Sequence, residues 1–388
     1  MVLRVGRKNV EELRPTNVLP QTPFWARIKN RQGFYPSGFR LTVSKHMLNP
    51  LAGKGLNFKE DLLILIKYVD QTHCFAYVPY GPKLEPDYEN QGVFLEVLSE
   101  MLKAHLPSNC VFIRYDLSWE NQWAHEEAFF DKSGHWIGPP SPQIQEFRVN
   151  FNTENWKLKK SSSDMLPKNT FFLDLTQAEN DLLYNMRYNT RYNIRQAWRN
   201  GIWVEETEIE GLDEWYSLYS ETAIRNNMPL YAKAYFSALL TDQDMNNRGV
   251  TVRLLIAGRE EKALAAMFLV LCNKRGTYLF GASSSTDKDL MASYALQWEG
   301  IKRSKKYGCA EYDMFGCAPN LSRTHPLHGV HIYTRKVLAV ICITGWGAGI
   351  THILKKIPID EVAGKYRLRG SGFKFYKYRF QAAVPGQN

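Results

Sequence analysis

None of the six cysteines (74, 110, 272, 309, 317 and 342) forms a C-x-x-C pair. That absence excludes the common structural zinc sites and redox dithiols, and the scattered thiols read as reduced cysteines of a cytoplasmic protein. The amino terminus is too polar for a secretory leader. Acid is in short supply: 39 Asp and Glu face 49 Lys and Arg, a net charge of +10. Such a balance favours an anionic partner, whether nucleic acid, a nucleotide or a lipid headgroup. One long apolar run, Val337 to Leu354, is free of Lys, Arg, Asp and Glu. It reaches only the lower limit of a membrane span, and Thr344, Thr351 and His352 weaken that reading. Its Gly345, Gly347 and Gly349 also lack the acidic partner and βαβ setting of a dinucleotide fingerprint. No Ser-His-Asp or Cys-His arrangement stands out.

What is present is ordinary in bulk, with 44% hydrophobic and 23% charged residues. A chain of 388 residues exceeds the size at which one core stops growing, so two domains are expected. Thr277 to Gly316 is the most informative stretch. A strand ends at Gly281-Ala282-Ser283, a helix follows with Leu290, Tyr294, Leu296, Trp298 and Ile301 apolar, and Gly308 is placed to cap it. A short strand then carries Tyr312 and Asp313 into Gly316. The first half repeats that order: strand and turn over Cys74 to Pro82, helix from about Asn90 to His105, strand over Cys110 to Leu117. Val250–Ala257 and Ala263–Cys272 read as an antiparallel pair around a charged turn. The expected fold is α+β: two acetyltransferase-like (GNAT-type) domains, each a mixed, mostly antiparallel sheet flanked by helices. We place them at 1–160 and 161–350, with a polar linker at Asn152–Asn169, a strand at Phe171–Leu175, and the tail 351–388 packing back on the first domain.

Thr176-Gln177-Ala178-Glu179 reads as a capping box opening one helix that closes at Gly201. Arg187, Arg191, Arg195 and Arg199 recur on it every four residues, with Tyr184, Tyr188 and Tyr192 beside them. Like charges at that spacing repel, and an anion across the stripe relieves them. Arg forks onto phosphate and Tyr stacks on a base. A solvated basic face with half-buried tyrosines fits the same pattern.

Four segments in order resemble the Fem-type aminoacyltransferases: Gln21 to Lys29 (QTPFWARIK), Tyr77 to Pro82 (YVPYGP), Thr190 to Ala197 (TRYNIRQA) and Thr277 to Gly316. These enzymes move an amino acid from aminoacyl-tRNA onto a peptidoglycan precursor. The resemblance runs from about Gln21 to Tyr333. It implies that Lys29, Tyr80, Arg191, Arg195 and Tyr278 bind the acceptor, with Tyr80 standing where arginine is common, and that Arg187 and Arg199 are weaker anion or tRNA contacts. The stretch between Tyr231 and Val250 is too short for the family's helical arm, which indicates an arm-less member. The implied reaction adds Gly, Ser or Ala to the stem peptide of UDP-MurNAc-pentapeptide or lipid II, with peripheral contact at the inner membrane face. The acceptor amine, of reference pKa about 10.4, must lose its proton before attack. Aminoacyl-tRNA is the co-substrate, and neither cofactor nor metal is implied. His325, His328 and His331 are spaced like ligands, but Pro326 and Gly329 argue for a turn. Asp313 reads as a structural carboxylate rather than a general base.

After Tyr333 the family pattern continues with lysine and a Gly-Phe-Gly-Gly run, implying Tyr333 and a neighbouring lysine at the chemistry. Here the chain reads Thr334-Arg335-Lys336-Val337, so Thr334 stands at the lysine position and Lys336 is the nearest substitute. Codons for Thr334 to Thr351 can be chosen so that another frame encodes YKKGFGGNLYHRMGCWDYP, a family-like continuation. Two rival functions stand beside this one. An acetyl-coenzyme-A-dependent N-acetyltransferase would use Arg367-Leu368-Arg369-Gly370-Ser371-Gly372 as its pyrophosphate loop, though no clear helix follows. A non-catalytic RNA-binding protein would show salt-dependent binding without transfer. A single-base shift near Tyr333 in the nucleotide sequence is expected to restore the alternative string; if none does, the out-of-frame explanation is wrong.

Overall fold

The computed structural model describes residues 3–51, 57–132, 136–161, 164–242, 249–316, 342–344 (backbone) and 349–354. The first part of the chain supplies β1 (Leu3–Lys8), α1 (Pro23–Arg31), β2 (Tyr35–Ser44), α2 (Lys45–Leu48), β3 (Asn57–Tyr68), β4 (Cys74–Pro79), α3 (Gln91–Lys103), β5 (Cys110–Asp116), α4 (Pro142–Asn150) and β6 (Leu158–Lys160). Then come β7 (Asn169–Asp174), α5 (Glu179–Asn185), α6 (Tyr188–Arg199), β8 (Trp203–Thr207), α7 (Leu212–Arg225), α8 (Lys233–Thr241) and β9 (Val250–Arg259). The rest is β10 (Lys262–Cys272), β11 (Arg275–Ser283), α9 (Ala292–Lys306), β12 (Glu311–Asp313), β13 (Cys342–Thr344) and β14 (Ile350–Ile353).

These strands form two seven-stranded sheets, β1-β2-β3-β4-β5-β14-β6 and β8-β9-β10-β11-β12-β7-β13. Along each, the first three pairings are antiparallel, the fourth is parallel and the fifth antiparallel. The parallel pairs, β4 with β5 and β11 with β12, are each joined through a helix, α3 or α9, because a tight hairpin cannot connect parallel strands. The expected α+β architecture and its repeated order are therefore present. The sixth strand differs in origin: β7 opens the second sheet's own run, whereas β14 reaches the first sheet only after that run is complete.

The compact units are Met1–Arg14, Pro20–Lys168 and the chain from Thr344, against Pro15–Leu19 with Asn169–Ile343. The junction thus falls at Lys168 rather than 160, and the expected polar linker contains β6, an ordered strand of the first sheet. In that sheet β3 is buried continuously from Glu60 to Ile66, so it lacks alternation. Phe94, Leu95, Leu98 and Leu102 of α3 pack against Leu62, Ile64, Ala76, Val78 and Ile113. Gly92 lets α3 approach the end of α4, since a Cβ there would lie 1.7 Å from the Val149 carbonyl oxygen.

The arginine-bearing helix departs from expectation. It breaks at Met186 and Arg187, both extended, giving α5 and α6. Thr176 caps neither; its hydroxyl donates to Asp174 at 2.7 Å. The break lets Met186 join the core, while the Arg191 guanidinium donates to the carbonyls of Tyr184 and Met186. It thereby satisfies acceptors that a continuing helix would have paired.

Asp61 of β3 is a buried ionic hub, receiving Lys8 Nζ at 2.6 Å, Arg40 Nε at 2.9 Å and the Arg14 backbone N–H at 2.9 Å. Burial alone would raise its pKa, but hydrogen bonds from Arg40, Lys8 and Arg14 hold it well below the usual carboxylate range. Its contribution is complete above the unfolded carboxylate pKa near 4 and is lost as pH falls through the lower folded value. Asp61→Asn takes the carboxylate from the partly buried Lys8 and is expected to cost about 2–3 kcal/mol in urea unfolding at pH 7.

Candidate functional site

In the first unit, Thr22 caps α1 by accepting the Trp25 N–H at 3.2 Å, and Pro23 begins the helix. Lys29 occupies the last turn, where a cation suits the helix dipole. Its ammonium donates to Gln32 Oε1 at 2.9 Å and lies 4.8 Å from the Trp25 ring. Removal from water lowers its pKa to about 8. Buried Gln21 ties this motif to the second: it donates to the Pro79 carbonyl at 2.6 Å and accepts the Leu63 N–H at 2.8 Å. A Cβ on Gly81 would sit 2.9 Å from the Gln21 amide nitrogen, so the turn closes tightly on that side chain.

Tyr80 holds a left-handed backbone (φ 46°) and donates its hydroxyl to the Pro167 carbonyl. Beside it on β4, Tyr77 donates to Asp116 Oδ2 at 2.9 Å. Asp116 also accepts Arg114 Nε at 3.0 Å and the N–H groups of Met165 and Leu166 at 3.1 and 3.0 Å. Burial, followed by the Asp116 charge, pushes Tyr77 well above the usual phenol range. Lys160 is lowered to about 7 by desolvation and then by Lys168, against Asp164 and Asp116. Sequence analysis marked only the strand that carries Asp116; the Tyr77, Arg114 and Lys160 cluster around it was missed. Arg114 stands two residues away on the same strand, but Tyr77 and Lys160 come from β4 and β6, so no local spacing could reveal them.

In the second unit, α6 buries Thr190, Ile194 and Ala197. Its opposite face carries Arg195, Arg199, Tyr188 and Tyr192, with Arg187 at the helix start and Tyr184 just before it. Arg187, Arg195 and Arg199 are exposed, and none of their guanidinium groups has a hydrogen bond or ion pair among the described residues. Tyr184 and Tyr188 are largely in water, whereas Tyr192 is half-buried, as the alternative reading of the stripe expects. Arg191 is instead occupied by the α5 carbonyls and lies 5.8 Å from the Tyr184 ring.

Tyr278 is positioned by a register shift. Phe268 pairs with Phe280 but Leu269 with Tyr278, leaving Leu279 as the extra residue of a bulge. Tyr278 therefore packs with the α9-side core, while Phe280 meets Phe236 on the other face. Its hydroxyl fills the space over Gly281, where a Cβ would lie 1.5 Å away. Desolvation pushes this phenol up to about 12. Asp313 accepts from the Thr170 hydroxyl at 2.5 Å and the Phe315 N–H at 2.9 Å, and burial raises its pKa. It closes β12 as Asp116 closes β5.

Tyr333, Lys336, the His325–Tyr333 turn and Arg367–Gly372 lie outside the described residues. Among those described, no cluster of three His, Cys, Asp or Glu could hold a metal, and no helix is long and apolar enough to cross a membrane. Part of the apolar run is strand, β14, whose His352 is fully buried with both ring nitrogens lacking hydrogen bonds.

The FemAB family model matches residues 13–247 and 245–336, which spans both units. The chain belongs to the FemAB family. That membership supports a peptidoglycan bridge aminoacyltransferase in general, with a peptidoglycan precursor as substrate. FemX is similar in structure, at 16% identity and TM-score 0.67, covering 92% of this chain and 99% of FemX. More distant is a tandem GNAT protein from the clavulanic acid biosynthesis pathway, at 10% identity and TM-score 0.48, covering 91% and 98%. The C-terminal domain of a putative lysylphosphatidylglycerol synthetase from Agrobacterium fabrum is 10% identical, with TM-score 0.44, covering 90% and 94%. No curated protein matches the chain in sequence. For this FemAB member, competitive labelling with acetic anhydride read by mass spectrometry should give half-maximal Lys29 reactivity near pH 8. A midpoint at the reference value of about 10.4 would contradict its desolvation.

Proposed function

We propose that the chain is a tRNA-dependent aminoacyltransferase adding Gly, Ser or Ala to the stem peptide of UDP-MurNAc-pentapeptide or lipid II. FemAB membership supports the reaction class. The observation that carries the choice of donor is the outward face of α6, with unpaired arginines between exposed tyrosines. Arginine neutralises phosphate and tyrosine stacks on unpaired bases, a combination suited to the backbone and open end of a tRNA.

The acceptor's neutral amine attacks the ester carbonyl, the amide bond forms as the ester C–O bond breaks, and the ribose oxygen leaves with the proton the amine gives up. Orientation and stabilisation of charge on the carbonyl oxygen and departing oxygen supply the catalysis. Lys29 and Arg195 bind the acceptor's anionic groups in this reading. Tyr80 and Tyr278 contact it with their rings, because the Tyr80 hydroxyl is held by Pro167. Arg191 serves the same side by fixing the α5–α6 corner. Arg187 and Arg199 attract the tRNA, and Lys336, next to Tyr333, takes the place of the family's lysine.

Transfer of labelled Gly, Ser and Ala from charged tRNA to each acceptor tests this directly; one combination is expected to give product. Lys336→Met should lower that rate about a hundredfold, as loss of one preorganised charge does. Replacing Arg187 and Arg199 by Gln should flatten the log–log salt dependence of tRNA binding by about 1–2. Binding of acetyl-coenzyme A without response to charged tRNA would reverse the assignment.

A further inference from the structure

One corner of the first unit is short of hydrogen-bond partners. Asn121 Nδ2, Gln122 Nε2, Trp123 Nε1 and Gln91 Oε1 are buried with no partner among the described residues. Asn121, Gln122 and Gln91 are 1%, 6% and 1% exposed, and buried amides nearly always have their bonds made. Elsewhere among the described residues such atoms occur one residue at a time. These four residues belong together. Gln91 opens α3, and its Nε2 donates to Glu85 Oε1 at 3.2 Å. Glu85 also accepts the Glu120 N–H, so Gln91 and the residue before Asn121 share one carboxylate. Asn121 Oδ1 accepts the Trp123 N–H at 3.0 Å, which leaves its amide nitrogen as the open end. Trp136 Nε1 donates to the Trp123 carbonyl at 3.2 Å, and Phe129 meets the Trp123 ring edge-on at 5.4 Å. Trp119, two residues before Asn121, donates to the Pro82 carbonyl at 2.7 Å, in the turn that follows Tyr80.

We propose that this corner binds a neutral N-acetyl sugar. Three N–H donors call for carbonyl or hydroxyl oxygens, and Gln91 Oε1 calls for a donor. An acetamido group supplies both at once: its carbonyl accepts from the amide or indole nitrogens, and its N–H donates to Gln91. Ring hydroxyls donate as well as accept, so they also serve the Glu85 carboxyl, whereas a base such as uracil brings a single N–H. Half-buried Trp123 adds the aromatic surface that lines small-molecule sites beside a few placed polar groups. Charge argues against a phosphate or carboxylate. Glu85 and Glu120 flank the corner, and His125 is engaged by Glu120 at 3.3 Å. Burial, followed by the Glu120 charge, raises the Glu85 pKa to about 7, so a further anion is unwelcome there. The inference rests on the proposed reading for the source of the sugar, the acceptor bound beside the Tyr80 turn.

The test titrates the full chain, carrying isotopically labelled tryptophan, with N-acetylglucosamine and follows the indole N–H signals by NMR. Trp123→Phe assigns the Trp123 signal by its disappearance. A saturable shift of that signal is expected in the wild type, a measurement that needs no disruptive variant. Glucose, which lacks the acetamido group, should bind about tenfold more weakly. Asn121→Asp keeps the oxygen that accepts the Trp123 N–H but loses the amide donor, and should weaken N-acetylglucosamine binding by about the same factor. The proposal is overturned if N-acetylglucosamine leaves the Trp123 signal unmoved, because water then satisfies these atoms. It is equally overturned if uridine or acetyl-Lys-D-Ala-D-Ala moves that signal in its place, or if glucose and the Asn121→Asp variant bind as well as the reference pair. Neither tRNA nor transfer enters this assay. Sugar binding without transfer product would reject the proposed reaction alone, and product without sugar binding would reject this inference alone.

Discussion

One constraint organises both sheets: the parallel strand pair at the centre of each. Parallel neighbours need a crossover that leaves the sheet and returns, so β4 and β5 enclose α3, and β11 and β12 enclose α9. Each crossover helix becomes the main cover of one sheet face and the nucleus of its core. The same topology places the ends of two parallel strands side by side, where backbone groups run out of ladder partners. Asp116 and Asp313 sit at these points and accept the N–H groups of Met165 and Leu166, or of Phe315. They serve the fold in the same way in both halves.

Around that frame the site residues divide by what already occupies them. Arg191 and the Tyr80 hydroxyl hold backbone carbonyls, and so shape the corner between α5 and α6 and the turn after β4. Lys29 is desolvated, with Gln32 as its neutral hydrogen-bond partner and the Trp25 ring beside it, which leaves its proton loosely held. Arg187, Arg195 and Arg199 stand in solvent. Of the four arginines on the stripe, Arg191 is thus held by backbone carbonyls while the other three guanidinium groups have no partner among the described residues, and only the carbonyls left open by the broken helix make that distinction.

Local conflicts are as informative as satisfied contacts. Along the chain, propensity, patterning and burial agree almost everywhere, as expected of a minimally frustrated sequence. Two exceptions among the described residues are the outward apolar face of α4 and His352 in β14, a fully buried imidazole lowered to about 4 by desolvation. The first leaves Ile144, Phe147 and Phe151 at least half in water. The second lies beyond the residues that the FemAB model matches; neither ring nitrogen has a hydrogen bond, and a Glu100 carboxylate oxygen is 3.8 Å from one of them.

Much of the fold was legible in residue order. Period-two and period-3.6 patterns located the strand–helix–strand unit twice, because they report which side of an element must leave water. Composition set the expectation of two domains and an anionic partner, and four short segments in order carried the family. The site was legible only as a set of candidate residues. Tertiary structure decided that Gln21 joins the Lys29 motif to the Tyr80 turn, that a bulge at Leu279 turns Tyr278 toward the α9 core, and that Met186 breaks the arginine helix. It also decided that the chain's far end, expected only to pack back on the first domain, enters its sheet as the strand beside β5. Periodicity states what a side chain must bury, but hydrogen-bond partners and register are settled between segments far apart in sequence, where no local pattern reaches.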